Sequence, residues 1–440
     1  MPTISNWNGY HEAECAAILR PTDAEAIAAT IRAARASGGR VRAIGGRHTF
    51  NRLALTDGVV LDLSALSQVL SADPSTGIVR VQGGMHLRDL VVALEARGLA
   101  LPNLGAWTEQ TIAGVISTAT HGSCGRWQRD MMSAVVGVQA VDGAGALREW
   151  SARELGTLSL GMFGVITEVT LQCEPLYWVV KDKDVVDLDR AIERIPELLG
   201  AHDYVDLRWT GGVDQGVLGT WERAERPPGV IDRVLMESEG VRLGLLNRAL
   251  DLIPFERTPA RVNRALFEIL GRAYVLGAET PPTVEVWHRG LTFNSHGHAA
   301  RHDEVEIAVP MVRAIEALQR TRRRMNDDPS SAGIEVQIRF SPPSPWVLAP
   351  NYGHACAWID FNIFDRPRAR PIIEAMTQTL IELGGRPHWG KTIPDAAADL
   401  GRIYGDELRT FEEVRRGCDP DGVLLNGFYD RRIAPALAAC

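Results

Sequence analysis

The segment VRAIGGRHTFN, residues 41–51, places the tightest constraint on what this 440-residue chain can fold into. A short apolar run, VRAI, passes into the pair Gly45 and Gly46 and then into small and polar residues around His48. The pattern predicts a strand ending in a tight loop, where two glycines let the backbone come close enough for amide groups to meet phosphate. The spacing is not G-x-G-x-x-G, so a nicotinamide-type dinucleotide fold is not supported. Taken alone, the segment also fits a structural or exposed histidine beside an ordinary turn.

The surrounding sequence repeats the theme. LRPTDAEAIAATIRAARASGG predicts a helix with Thr22 as its N-cap and Glu25 as the returning member of a capping box. Its apolar positions are Ala26, Ile27, Ile31 and Ala34, and Gly38-Gly39 stops it. Asp57-Gly58 turns the chain into VVLDLSAL, a second strand; GIVRVQGG is a third, and LRDLVVALEARGLALP an amphipathic helix. MSAVVGVQAVDGAGALREW predicts a hairpin around Asp142-Gly143, and a β-forming run, Val165 to Leu171, follows Gly161 and Gly164. Strands and helices alternating at this spacing indicate an α+β or mixed α/β region.

Residues 101–125, LPNLGAWTEQTIAGVISTATHGSCG, form a second dense feature. Gly105, Ala106, Gly114, Ser117, Thr118, Thr120, Gly122 and Ser123 leave little bulk and many hydrogen-bonding groups. That composition suits a backbone crossed by a planar or phosphorylated cofactor; the alternative is a tightly packed internal turn. His121 reads as an organiser of such a site, and Cys124 as a small buried hydrophobe.

Beyond Pro175 the texture changes, with tryptophans at 209, 221 and 287, and a domain boundary is placed there. DEVEIAVPMVRAIEALQRTRRRM predicts a strand entering a helix whose Arg320, Arg322, Arg323 and Arg324 are solvated. IEVQIRF has a period of two that puts Glu335, Gln337 and Arg339 on one face, either an active-site wall or a polar face toward water. HACAWIDFNIF is a strand without a catalytic signature, and PIIEAMTQTLIELGG is helical. RPHWGK then joins Pro387, His388, Trp389 and Lys391, a group suited to a polar substrate beside a cofactor or to a surface loop. The final segment, with Asn426 just before it as a polar anchor, returns toward the first domain.

A chain of this length exceeds what a single core usually sustains, which favours two domains. With 47 basic and 55 acidic residues the formal charge is −8, which argues against nucleic acid as the main partner. The six cysteines show neither CxxC nor a metal-ligand cadence and read as free thiols, and the histidines add no zinc spacing. The N-terminal residues do not resemble a signal peptide, and no apolar run is long enough to cross a bilayer; a cytoplasmic location is expected.

Taken in order, RAIGGRHTFN, VQGG, LPNLGAWTEQTIAGVISTATHGS, LGMFGVIT and RPHWGK resemble the oxidoreductases with a vanillyl-alcohol-oxidase-type, or PCMH-type, FAD domain. Within these the chain is most similar to the sugar alcohol oxidase and aldonolactone oxidase branch. The resemblance implies an α+β, two-domain fold: an FAD-binding domain over 1–175, a substrate or cap domain over 176–395, and a segment over 396–440 that rejoins the first. It implies FAD covalently attached through His48, because a neutral histidine nitrogen is a nucleophile toward the activated flavin methyl group. Residues 101–110 hold no cysteine for a second link.

Further cofactor contacts implied are Ile44, Gly45, Gly46, Arg47, Thr49, Ala106, Thr111, Gly114, Ser117, Thr118, His121, Gly122, Gly161, Gly164, Ile166, His388 and Asn426. Gly105 matches a small residue thought to leave room for oxygen beside the flavin. The implied reaction is oxidation of a polyol, aldonolactone or related carbohydrate alcohol, with hydride transfer to flavin N5 and reoxidation by molecular oxygen to hydrogen peroxide. Lys391 and Arg339 would orient the hydroxyl and stabilise developing negative charge. Relatives carry an acidic residue two before this arginine, whereas this chain has Gln337, which cannot act as a carboxylate base. Glu335 substitutes only if the strand is shifted or bulged. The alternatives are a dehydrogenase using another acceptor and a flavin-binding protein whose oxidative activity is lost or repurposed.

Overall fold

The computed structural model describes residues 1–276, 280–290 and 300–439. The first helix, Ala24–Ala36, buries the stripe Ile27, Ala28, Ile31 and Ala34 against Val41, Leu61 and Val165. Each such side chain removed from water contributes about 1.5–3 kcal/mol before entropy is counted. The N-cap is Asp23 and not the expected Thr22: the Asp23 carboxylate accepts the Ala26 amide at 2.8 Å. An aspartate directly before the first turn adds charge to the cap, so Thr22 is left outside. Glu25 pairs with Arg32 one face along instead of closing a capping box.

The strand predicted at VRAI is Val41–Ile44, which pairs in parallel with Val59–Asp62, itself parallel to Ala17–Leu19. A five-stranded antiparallel sheet follows in the order Leu147–Ser151, Val135–Val141, Val165–Gln172, Ile78–Gln82, Val69–Asp73. The expected hairpin at Asp142-Gly143 joins the first two of these.

The eight-stranded sheet of the second half lies between Trp178 and Pro387. Its centre runs Tyr204–Thr210, Ile334–Ser341, Cys356–Ile363, Asp303–Pro310, every neighbour antiparallel. The helices Ala314–Asp327 and Arg366–Glu382 pack against it. In Ile334–Ser341 the residues Ile334, Val336, Ile338 and Phe340 are buried in the core, so the alternate residues form the opposite face. Arg322 is a correction to the solvated cluster: it is buried, donating to Asp214 at 2.7 Å and to the Val213 carbonyl at 3.3 Å, because its helix turns that position inward.

The chain ends return to the first half. The Val41 amide donates to the Val423 carbonyl at 2.7 Å, and Gly143 to Cys418 at 2.9 Å. The N-terminal segment bridges both halves: Asn6 donates to the Thr49 carbonyl and Asn8 to the His302 carbonyl, each at 3.0 Å. The Tyr10 ring sits under the guanidinium groups of Arg301 and Arg366. Cys15, Cys124, Cys173, Cys356 and Cys418 are free thiols, and Cys440 lies outside the described residues. Among the described residues no helix is long and apolar enough to cross a membrane.

Candidate active site

One cavity runs between the glycine loops of the first half and the polar face of the eight-stranded sheet. On the loop side, glycine is required by close approach. A Cβ at Gly45 would stand 2.0 Å from Thr111 Oγ1, and one at Gly46 would stand 2.2 Å from the Glu109 carbonyl. Arg47 takes the left-handed conformation, φ 56°, that swings the chain toward His48. Thr111 in turn caps the helix Ile112–Thr118 through the Gly114 amide.

His48 is packed between two tryptophans. Trp107 Nε1 donates to His48 Nε2 at 3.0 Å, and Trp7 stacks on the imidazole at 5.7 Å. Burial pushes the imidazole down to about 3, with His86, Arg47 and Lys391 adding repulsion, so the ring is neutral with its proton on Nδ1.

Arg42, from the same strand, is buried beneath the Leu160-Gly161 turn. It donates to the carbonyls of Gly161 at 2.9 Å and Leu160 at 2.6 Å, while its Nε has no partner. Among the described residues it makes no ion pair with a carboxylate, and burial lowers it to about 10. A buried cation held only by carbonyls is a charge complement for an anionic ligand.

The sheet side is built from register. Arg208, Gln337, Asp360 and Glu306 stand opposite one another across four adjacent strands, and Glu335, Asn362 and Glu304 form the next row. Arg339 donates to Glu306 Oε1 at 2.6 Å and approaches Asp360 Oδ2 at 3.4 Å. His121 stacks on Trp358 at 3.7 Å, and its Nε2 meets the same Glu306 oxygen at 3.1 Å. Burial alone would raise the Glu306 carboxyl, but Arg339 and His121 hold it well below the usual carboxylate range. Asp360 is driven the other way, by burial first and by Glu306 second.

Lys391 contacts Glu304 directly, lies 3.8 Å from Asp360 and sits over the Phe50 ring at 5.0 Å. Burial pulls its ammonium down to about 7, against the attraction of Asp303, which favours the charged form. His121, Glu306 and His388 are close enough to share a metal ion. His121 Nδ1 is taken by the Gly122 carbonyl, His388 Nδ1 by the Gly390 amide and Glu306 Oε1 by Arg339 and His121, while Glu306 Oε2 has no hydrogen-bond partner among the described residues.

Of the residues singled out in the sequence, Ile44, Gly45, Gly46, Arg47, His48, Thr49, Ala106, Thr111, Gly114, Ser117, Thr118, His121, Gly161, Gly164, Ile166, Gln337, Arg339, His388 and Lys391 all line this cavity. Gly105, Gly122 and Asn426 stand behind its wall. A Cβ at Gly105 would meet Thr120 Cγ2 at 3.0 Å and the His121 carbonyl at 3.4 Å, and Thr120, His121 and the adjoining Ala106 line the cavity. Gly122 is packed on Asn103 and Leu104. Asn426 has its hydrogen bonds filled by the chain: its Nδ2 donates to Leu53 and Leu55, and its Oδ1 accepts from Phe428 and Tyr429. Trp389 points away, donating to Leu348 and stacking on Tyr404.

Sequence reasoning missed Trp7, Arg42, Trp107, Glu304, Glu306 and Asp360. A signal existed for the last three: Glu304 and Glu306 alternate in DEVEIAVP, and Asp360 is the lone acid in AWIDFNIF, so each breaks an otherwise apolar strand. Glu335 does not replace residue 337, because the strand pairs without a shift on either side.

A glycine-loop domain facing a sheet-based cap across a cavity with buried cations defines a two-domain, FAD-dependent oxidoreductase. Two solved cholesterol oxidases share the fold: one from B. sterolicum at 14% identity and TM-score 0.75, covering 98% of this chain and 96% of that one, and a solvent-stable cholesterol oxidase at 16% and TM-score 0.76, covering 98% and 97%. Residues 15–151 match the FAD binding domain family, and residues 169–432 match the D-arabinono-1,4-lactone oxidase family. The chain belongs to this family of FAD-dependent aldonolactone oxidoreductases. Among its relatives, an L-gulono-1,4-lactone dehydrogenase of Mycobacterium tuberculosis is 31% identical over 99% of this chain and 100% of that protein. An alditol oxidase from a Streptomyces species is 27% identical, and an L-gulonolactone oxidase from Scyliorhinus torazame 26%, each over 97% of both chains.

Proposed function

We propose that the protein oxidises an alcohol carbon of a polyol, an aldonolactone or a related carbohydrate alcohol. The observation that carries this reading is the convergence of two basic side chains, the buried Arg339 and the half-buried Lys391, on the cavity that the His48 loop also lines. Bound FAD supplies a two-electron acceptor that takes a hydride at N5. The residues fit the cofactor: Arg42 offers an uncompensated charge for the pyrophosphate, and the Gly45-Gly46 loop has no side chains in the way. The segments 44–49, 111–118 and 161–166 would hold it, with residues 1–175 and 396–440 as the cofactor domain and 176–395 as the substrate domain.

Arg339 and Lys391 would orient the substrate hydroxyl and stabilise negative charge as its proton leaves. The surrounding tryptophans and the buried sheet face exclude water from that step. His48 would carry the covalent link. Because Trp107 donates to Nε2, the nitrogen left for the flavin methyl group is Nδ1, which would have to give up its proton as the bond forms. In acid-denatured protein, flavin should stay with the wild-type chain and be released from His48→Ala.

Oxygen as the final acceptor, yielding hydrogen peroxide, accords with the oxidase relatives; the dehydrogenase name of the mycobacterial relative favours a second reading, an acceptor other than oxygen. Free thiols at all five described cysteines accord with a reducing, cytoplasmic setting. Anaerobic stopped-flow absorbance with polyols, aldonolactones and reducing sugars, followed by air-saturated buffer, tests both parts. Bleaching and fast recovery with peroxide is expected. Slow recovery selects the second reading, and no bleaching by any compound overturns the alcohol assignment.

A further inference from the structure

Gln337 leaves a chemical gap in the proposed reaction. Removing a hydride from an alcohol carbon requires that the hydroxyl proton go to a base, and an amide is not one. Gln337 is also engaged elsewhere: its Nε2 donates to Asp206 at 2.6 Å, on the strand to one side. On the other side, directly across the ladder, stands Asp360.

Asp360 has the attributes that position 337 lacks. Its Oδ2 lies 3.4 Å from Arg339 and 3.8 Å from Lys391, between the two cations assigned to the hydroxyl. Its Oδ1 is buried with no hydrogen-bond partner among the described residues, although the residue lines the cavity and is only 3% exposed. A buried acceptor left open by the protein is costly unless a ligand fills it.

We propose that Asp360 is the catalytic base, a carboxylate displaced by one strand from position 337, receiving the substrate hydroxyl proton between Arg339 and Lys391. This rests on the alcohol-oxidation reading. The O–H bond breaks toward Asp360 Oδ1, the carbon–oxygen bond becomes a carbonyl, and the hydride with its electron pair goes to bound FAD. Glu306 and Glu335 repel the Asp360 carboxylate while Arg339, Arg208 and Lys391 attract it; burial first and Glu306 second prevail and raise its carboxyl well above the usual carboxylate range.

The test is the anaerobic rate of flavin reduction against pH, with a substrate that bleaches the wild type. The wild-type rate should rise with pH as Asp360 ionises. In Asp360→Asn the rate should fall about 10²–10⁴-fold and the rise should vanish, with the flavin spectrum unchanged. A rise that survives in Asp360→Asn would belong to Lys391 and overturn the assignment, as would reduction at the wild-type rate. Should the asparagine variant load no flavin, Asp360→Ser with added formate gives the same decision: slow reduction rescued by formate supports the base, and the wild-type rate without formate overturns it. If no compound bleaches the wild type, the alcohol reading falls first; bleaching of wild type and variants alike removes Asp360 alone.

Discussion

The two walls of the cavity are made of different material. The loop wall, residues 44–49, 111–118 and 160–166, is largely backbone and small side chains, packed so closely that Gly46 has no room for a methyl group. The sheet wall is charged side chains, Arg339, Glu306, Asp360, Glu304 and Lys391, brought into line by strand register. The first wall suits a large cofactor common to many relatives, since amide groups and shape carry its recognition. The second suits one reaction, since moving a single charge changes which proton can go where. Chemistry can therefore vary on the sheet while the loops stay fixed.

Substitutions can break that division. Of these, the largest effect is expected from Arg339→Lys, which keeps the charge but loses the planar fork whose Nη2 meets Glu306 and Asp360 while Nη1 meets the His121 carbonyl. Anaerobic flavin reduction should slow by about 10²–10³-fold, the loss typical of removing one donor aimed at developing charge. Flavin content should stay intact; equal loss of flavin would mean the walls are not separable.

Gly46→Ala should show the opposite profile. Its methyl group meets the Glu109 carbonyl, so the loop must move, at about 1–3 kcal/mol of stability. Denaturant unfolding should register that loss and flavin content should drop, whereas the reduction rate of the loaded fraction should change little.

The smallest effect concerns acid. Burial lowers His388 to about 4, so the folded protein binds its proton less readily than the unfolded chain does. Protons then favour unfolding, and this contribution to stability declines as pH falls from about 6.5, the unfolded histidine value, through 4. A His388→Gln variant should flatten that part of the stability curve measured by thermal melting, whatever its overall stability, and leave the slope near pH 8 unchanged.

The sequence disclosed the loop wall better than the sheet wall for the same physical reason. Close approach demands glycine at Gly45 and Gly46, and that pair announces itself within one short stretch of chain, as Gly161 and Gly164 do within another. Glu306, Asp360 and Arg339 form a cluster only because three strands align, and register is a long-range property that a single sequence does not print. Glu335, Gln337 and Arg339 were legible as one face by their period of two. The neighbours that decide their chemistry were not. Asn426, read as a polar anchor, lies behind the wall, where the carbonyls of Leu53 and Leu55 take its donors.

The N-terminal segment has a bearing on how the enzyme is made. Trp7 covers His48, yet Asn8 of the same segment is fastened to His302 and Tyr10 lies under Arg366. On the ribosome, those anchors emerge roughly 290 to 360 residues after the segment they hold, and at 5–20 residues per second that is tens of seconds later. The strand carrying Arg42 waits longer still, for the Val423 carbonyl. A chain made only as far as Arg366 therefore still lacks the Val423 contact, and this wall of the pocket is completed only once Val423 has emerged.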